Sequence, residues 1–385
     1  MKKTKNFGIN TQCVHVGEVE DKQFKGAVSP IFMATSYAFD EVDVKRYPRY
    51  FNTPNQEMLC KKIAALEHTQ AGLIFGSGMA AISTAMFAFL KTGDHIIIQQ
   101  VIYGGTYNLI VSEFDKYGIE YSFTDSDKVE DFIPLIKENT KVLFIETPSN
   151  PLLGITDIKA IANLAKERNI ITMIDNTFAS PINQTPADLG IDIVLHSATK
   201  YMGGHSDLSA GAIAASQIHI DLIWKTAINF GGNLSDQTVW LLERSLKTLN
   251  LRVKEQTKNA QAMAEYLEGN PNIDRVYYPG LKSHPQHSLA KSQMHGFGAM
   301  LSFELKEGID AMDFQNKLEL IKSSMSLGGL ESTTVSPAQT THALLNVEER
   351  LARGIREGLI RFSVGIEEPQ DLIADIEQAL AMVCK

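Results

Sequence analysis

The sequence predicts an α/β protein: a mainly parallel sheet fills a large domain, a smaller C-terminal α/β domain follows, and an extended N-terminal arm precedes both. Three observations predict it. From residue 64 to about 200, short apolar runs rich in β-branched or aromatic residues alternate with helical segments. Beyond a long amphipathic stretch at 237–267, a second set of strands and helices begins. The first fifty or so residues, interrupted by Pro30, Pro48 and Pro54, sustain neither a helical nor a strand period.

Taken in order, residues 1–51 read as the arm, 52–250 as the large domain and 251–385 as the C-terminal domain. Strands are expected at 72–75, 95–101, 141–146, 170–174 and 192–195, where short apolar runs end in polar or turn residues. Helices are expected between them at 79–90, 106–117 and 158–169. Sheets built this way carry helices on both faces and bind ligands beyond the carboxyl ends of their strands. In the last third, strands at 299–304 and 359–364 accompany helices at 311–320 and 369–382.

Composition narrows the function. The 36 basic and 45 acidic side chains give a net charge of -9, which argues against a nucleic-acid binder with a basic footprint. Cys13, Cys60 and Cys384 are odd in number and far apart, so neither a disulfide framework nor a zinc site is implied, and a reducing, cytoplasmic setting is expected. No apolar stretch approaches the roughly 18 residues of a membrane span, and residues 1–10 lack the apolar centre of a signal peptide. The histidines show no ligand spacing, so no metal is expected.

The chemistry concentrates where strands end. Lys200 follows the run Leu195-His196-Ser197-Ala198-Thr199, and Asp175 closes the preceding apolar strand. A lysine and a carboxylate at successive strand ends suit pyridoxal phosphate, whose aldehyde needs an amine and whose ring nitrogen needs an acid. Asp175 is otherwise a helix N-cap, and Lys200 otherwise a surface lysine. Gly76-Ser77-Gly78-Met79 joins a strand to a helix, where free amides and the helix dipole attract a phosphate. Ser197 and Thr199 place hydroxyls beside the candidate amine. Tyr103 follows a strand and could stack on a pyridine ring, the alternative being an ordinary core or turn tyrosine. Arg361, in the late strand, could hold a substrate carboxylate through a bidentate fork.

Together these residues resemble the trans-sulfuration family of pyridoxal phosphate enzymes, which includes cystathionine γ-synthase, cystathionine γ-lyase and methionine γ-lyase. The likeness runs nearly end to end. It rests on Gly76-Ser77-Gly78-Met79-Ala80-Ala81, Glu146-Thr147-Pro148-Ser149-Asn150-Pro151, Asp175-Asn176-Thr177, His196-Ser197-Ala198-Thr199-Lys200-Tyr201, Ser326-Leu327-Gly328-Gly329 and Arg361-Phe362-Ser363-Val364-Gly365-Ile366-Glu367. It implies the aspartate-aminotransferase-like fold (fold type I), with Lys200 joined to the cofactor, Asp175 at the ring nitrogen, and Tyr103 stacked on the ring and activating the incoming amine. Gly78, Met79, Ser197 and Thr199 would hold the phosphate. Asn150 would meet the cofactor's 3′ oxygen or the substrate carboxylate, with Ser326 and Arg361 beside it. The family's homotetramer, a dimer of dimers, would carry Tyr47 and Arg49 of the arm to a neighbour's phosphate.

Departures from that pattern fall on the substrate side. The family's Asn-Pro-Thr stands here as Asn52-Thr53-Pro54, which alters the arm's path because proline restricts its predecessor. Arg46 and Met325 replace acids of the cystathionine enzymes, and Asn108 replaces an arginine. Without those partners cystathionine's distal charges would be poorly held. Gly105 stands where methionine γ-lyases commonly carry cysteine, and Leu327 where the β-lyase branch usually has tryptophan. The expected activity is γ-elimination or γ-replacement on a small sulfur-containing or homoserine-derived amino acid. Cystathionine γ-synthase or O-acylhomoserine sulfhydrylase activity is the alternative, cystathionine β-lysis comes behind it, and a cofactor-free nucleotide-binding protein is the rival from another class.

Overall fold

Runs of isoleucine, valine and phenylalanine become strands where both faces are covered, because only a pleated segment buries every successive side chain between two helical layers. A computed structural model describes residues 7–340, 346–352 and 354–384. It forms β1 Ala71–Phe75, β2 His95–Ile98, β3 Glu120–Phe123, β4 Thr140–Glu146, β5 Ile171–Asp175, β6 Ile193–His196 and β7 Gly211–Ala215 in one sheet. Their order is β1-β7-β6-β5-β4-β2-β3. Strands β6, β5, β4, β2 and β3 run parallel, whereas β7 is antiparallel to both β1 and β6. Ile96 to Ile98, Val142 to Ile145 and Met173 to Ile174 are almost fully buried.

Two of these strands escape the sequence reading. β7 is Gly-Ala-Ile-Ala-Ala, whose small side chains carry little strand preference, and β3 lies at the sheet edge and is only half-buried. The expected strand at 95–101 ends at Ile98. Beyond it the side chain of Gln99 takes over the pairing, donating to the Glu146 carbonyl (3.0 Å) and accepting the Glu146 N–H (3.2 Å).

The second sheet contains β8 Ile273–Tyr277, β9 Met300–Leu305, β10 Lys322–Ser323, β11 Thr333–Val335 and β12 Leu359–Ser363, in the order β10-β11-β12-β9-β8. All its pairs are antiparallel except β10 with β11. The single amphipathic stretch expected at 237–267 is two helices, Asp236–Leu246 and Leu249–Glu268. Buried Arg252 braces the break: its guanidinium donates to the carbonyls of Ser245 (3.0 Å) and Tyr201 (2.8 Å), which ties the break to the turn that follows Lys200. Gly204 is required there, since an added Cβ would lie 1.8 Å from Arg252 Nη1.

The N-terminal segment is not extended throughout. Helix Ile9–His15 buries Cys13, and Lys62, itself buried, donates to the Cys13 carbonyl at 2.6 Å. Residues 17–47 then run without regular structure and leave Phe24, Met33 and Phe39 exposed. The exchanged order Asn52-Thr53-Pro54 has a local use. Thr53 caps helix Pro54–Leu66 in a reciprocal box with Gln56 (3.2 and 3.1 Å), and Pro54 fits the first helical position, where no N–H is needed. Buried Thr53 also donates to the Asp236 carboxylate. Thr53→Ala should therefore lower stability by about 1–2 kcal/mol, read as a lower denaturation midpoint; an unchanged midpoint would show that the box contributes nothing.

Candidate active site

Strands β4, β5 and β6 end side by side, and in-register pairing sets Glu146 beside Asp175 and Asp175 beside Leu195. Whatever follows each strand is thereby delivered to one crevice. A cavity of about 430 Å³ opens there, lined by Gly78, Met79, Tyr103, Asn150, Asp175, Ser197, Thr199, Lys200, Ser326 and Arg361. Ten of the sequence-predicted residues thus share one wall system; Tyr47 and Arg49 lie outside it. The Arg49 guanidinium sits over the Tyr47 and Tyr50 rings and donates to the Ile228 carbonyl on helix Gln217–Phe230.

The candidate anion end is a strand-to-helix turn. Ser77 caps helix Gly78–Phe89 by accepting the Ala80 N–H at 3.1 Å, which leaves the amides of Gly78 and Met79 at the positive end of the helix. An added Cβ at Gly78 would lie 2.8 Å from the Ser197 Cβ, so glycine lets the two loops close into a cradle. The Thr199 hydroxyl bonds both to the carbonyl and to the N–H of Ala210, at 3.1 and 3.0 Å. It must release the carbonyl to donate to an anion.

Asp175 and Lys200 face opposite problems in the same cavity. Burial pushes the Asp175 carboxyl up, against the opposing pull of Thr177, whose N–H it accepts at 3.0 Å, and of the His196 and Lys200 charges. Burial pushes the Lys200 amine down, helped by the Arg361 charge and opposed by Asp175. Beneath them the motif residues Asn176 and His196 are structural: both bond Glu67, at the end of helix Pro54–Leu66, at 3.0 and 2.5 Å.

The opposite wall comes from the second sheet. Arg361 on β12 is buried, and its guanidinium donates to Asn150 Oδ1 (3.0 Å) and to the Ser326 carbonyl (3.2 Å). Burial lowers its pKa to about 10, which leaves it charged at neutral pH. Ser326 and Gly328 both adopt positive φ, 76° and 73°. Glycine is needed at 328 because a Cβ there would meet the Tyr201 nitrogen at 2.8 Å. Met325, 68% exposed, stands at the rim, and buried Leu327 lines the wall beneath it. Tyr103 precedes helix Gly104–Glu113 and remains 45% exposed.

Sequence reasoning missed Glu146 as a site residue. It ends a strand in the same way as Asp175, which was the available signal; it lines the cavity and accepts the N–H groups of Tyr103 (2.7 Å) and Asn150 (3.2 Å).

The donor set fits pyridoxal phosphate: an amine whose proton is loosely held, a buried acid in need of a cationic partner, and a glycine-lined anion cradle, all around one cavity. With that geometry in view, the comparisons are informative. A family model described as Cys/Met metabolism PLP-dependent enzyme matches residues 10–381. The chain is 44% identical to cystathionine beta-lyase MetC of Bacillus subtilis, covering 97% of each. It is 39% identical to L-methionine gamma-lyase of Fusobacterium nucleatum subsp. polymorphum, covering 99% of this chain and 100% of that one. The crystal structure of cystathionine gamma-lyase from Lactobacillus plantarum superposes with a TM-score of 0.95 at 40% identity, covering 98% of this chain and 100% of that one.

Added pyridoxal phosphate should give the wild type a visible absorption band that Lys200→Ala lacks while keeping its circular dichroism. A band surviving in the variant would separate the chromophore from this lysine.

Proposed function

The chain belongs to the Cys/Met metabolism family of pyridoxal phosphate-dependent enzymes, and on that footing we propose that it removes or exchanges the γ-substituent of a sulfur-containing or homoserine-derived amino acid. It is a carbon–sulfur lyase or a related transferase, and the choice of γ-carbon and substrate is the part proposed here. Met325 carries the proposal. It sets an uncharged thioether at the cavity rim where a partner for a distal ammonium would stand, and Asn108, in the place of an arginine for a distal carboxylate, is absent from the lining. Arg46, on the arm, is held in an ion pair with Glu57 at 2.9 Å. A substrate with a neutral distal end, such as methionine, suits this rim better than one with a second zwitterion.

When bound, pyridoxal phosphate supplies an aldehyde for the substrate amine and a ring that withdraws electrons from the α-carbon. Asp175 would accept the ring N–H and so keep that nitrogen protonated. Arg361, oriented by Asn150 and Ser326, grips the substrate carboxylate as a planar fork. Lys200 Nζ, its basicity tempered by burial and by Arg361, takes the α-proton and then carries protons at the β-carbon. The γ-substituent would leave with its bonding pair, as a thiolate that takes up a proton to become the thiol or as a carboxylate. Tyr103 would lie against the ring and limit water on that face. Its position depends on Gly105, because a Cβ there would sit 2.5 Å from the Tyr103 ring. Methionine γ-lyase-like chemistry in this chain therefore proceeds with glycine where cysteine is usual.

A second reading, β-cleavage of cystathionine, is favoured by the likeness to the Bacillus subtilis relative. Leu327, in the cavity wall, weighs against it. We further place the enzyme in the cytoplasm, a reading supported by three unpaired cysteines. No helix among the described residues is long and apolar enough to cross a membrane. The reading also includes a dimer-of-dimers tetramer in which the arm, residues 1–51, presents Tyr47 and Arg49 to a neighbour's phosphate. Their exclusion from this chain's own cavity, and the exposed Phe24, Met33 and Phe39, support it.

Incubating the holoenzyme with methionine, cystathionine, cysteine and O-acylated homoserines separates these chemistries. The γ-reading expects 2-oxobutyrate, with thiol released from methionine; pyruvate and homocysteine from cystathionine would replace it by β-cleavage. Met325→Glu should raise kcat/KM for cystathionine relative to methionine. For the arm, Arg49→Ala mixed with Lys200→Ala should recover activity in hybrid oligomers, and inert mixtures would confine the arm to its own subunit.

A further inference from the structure

Glu146 is the buried acid at the site for which the mechanism above has no use. It ends β4 in register with Asp175 on β5, so two carboxyl groups leave the sheet side by side into the same buried crevice. Such a pair is costly. Burial and the neighbouring Asp175 charge together push the Glu146 carboxyl well above the usual carboxylate range, with Arg361 pulling the other way. A neutral side chain would avoid that cost, so the acid must be held for what it contacts.

Its contacts join the segments that follow two neighbouring strands of the seven-stranded sheet. Oε2 accepts the N–H of Tyr103, just before helix Gly104–Glu113, and Oε1 accepts the N–H of Asn150 in the turn beyond β4. Asn150 in turn holds Arg361. The Glu146 backbone is itself fixed on both sides by the Gln99 amide, which also bonds Asp127 at 3.0 Å. We propose that Glu146 is a positioning residue that clamps two segments of one wall, tying the Tyr103 backbone to Asn150 and, through Asn150, setting Arg361 on the opposite wall for the substrate carboxylate. This rests on the reading that Arg361 receives that carboxylate.

The test compares two small amines on the holoenzyme, followed by the visible band of the cofactor: glycine, which carries a carboxylate, and methylamine, which does not. In the wild type glycine should bind more tightly. Glu146→Gln leaves one acceptor oxygen for two N–H groups and should weaken glycine by about tenfold, the size of one hydrogen bond, while methylamine changes much less. Glu146→Gln combined with Asn150→Ala should lose no more glycine affinity than Asn150→Ala alone, because one acts through the other. Equal losses for both amines, unchanged glycine binding, or additive losses in the double variant would each overturn the clamp. A wild type that binds glycine no better than methylamine would overturn the carboxylate reading of Arg361, and the clamp with it. Should Glu146→Gln not fold, Glu146→Asp, one methylene too short to reach both N–H groups, is read by the same comparison.

Discussion

A carboxylate held out of water at the end of a central strand governs this structure. Asp175 is an expensive group where it stands, and its neighbours can be ordered by how they answer it. Thr177 gives it an N–H, the His196 and Lys200 charges favour its ionised form, and the cavity in front of it offers room for a cationic ring nitrogen. Lys200 gains from the same arrangement in reverse, since its burial is partly offset by the acid. Each charge offsets a part of the cost of burying the other.

The layout of strands and helices was readable because buried parallel strands in this chain are short, branched and regularly separated. Strand β7 was not, since its alanines look helical in isolation and act as strand only because Ile213 and its neighbours fit between β1 and β6. The division of 237–267 was equally hidden. Nothing local marks it, and the break is satisfied by Arg252 reaching a carbonyl 51 residues away. Tertiary partners of this kind leave no periodic trace.

The candidate site was legible where an unusual residue stands at a strand end, as with Asp175, Lys200 and the Gly76-Ser77-Gly78 turn, which the structure brings to one cavity. It was illegible where a residue is bonded chiefly to the backbone of its neighbours. Glu146 looks like the polar end of an apolar run, and Gln99 like the tail of an isoleucine strand, until the structure shows the Gln99 side chain bonded to both the carbonyl and the N–H of Glu146. Thr53-Pro54 is the converse case. An order that looks irregular along the sequence proves to be a capped helix start.

The cavity is shared between two sheets of different origin. The cradle, Asp175 and Lys200 belong to the seven-stranded sheet, with the lysine turn pinned by Arg252, whereas Arg361 stands on β12 and Met325 to Leu327 on a loop leading from β10 to β11. Drift in that outer loop can therefore retune which amino acid is accepted while the catalytic floor stays intact. Such modularity lets one ancestral scaffold diversify by exchanging a few rim residues, so sequence identity across the whole chain is a poor guide to the preferred sulfur compound.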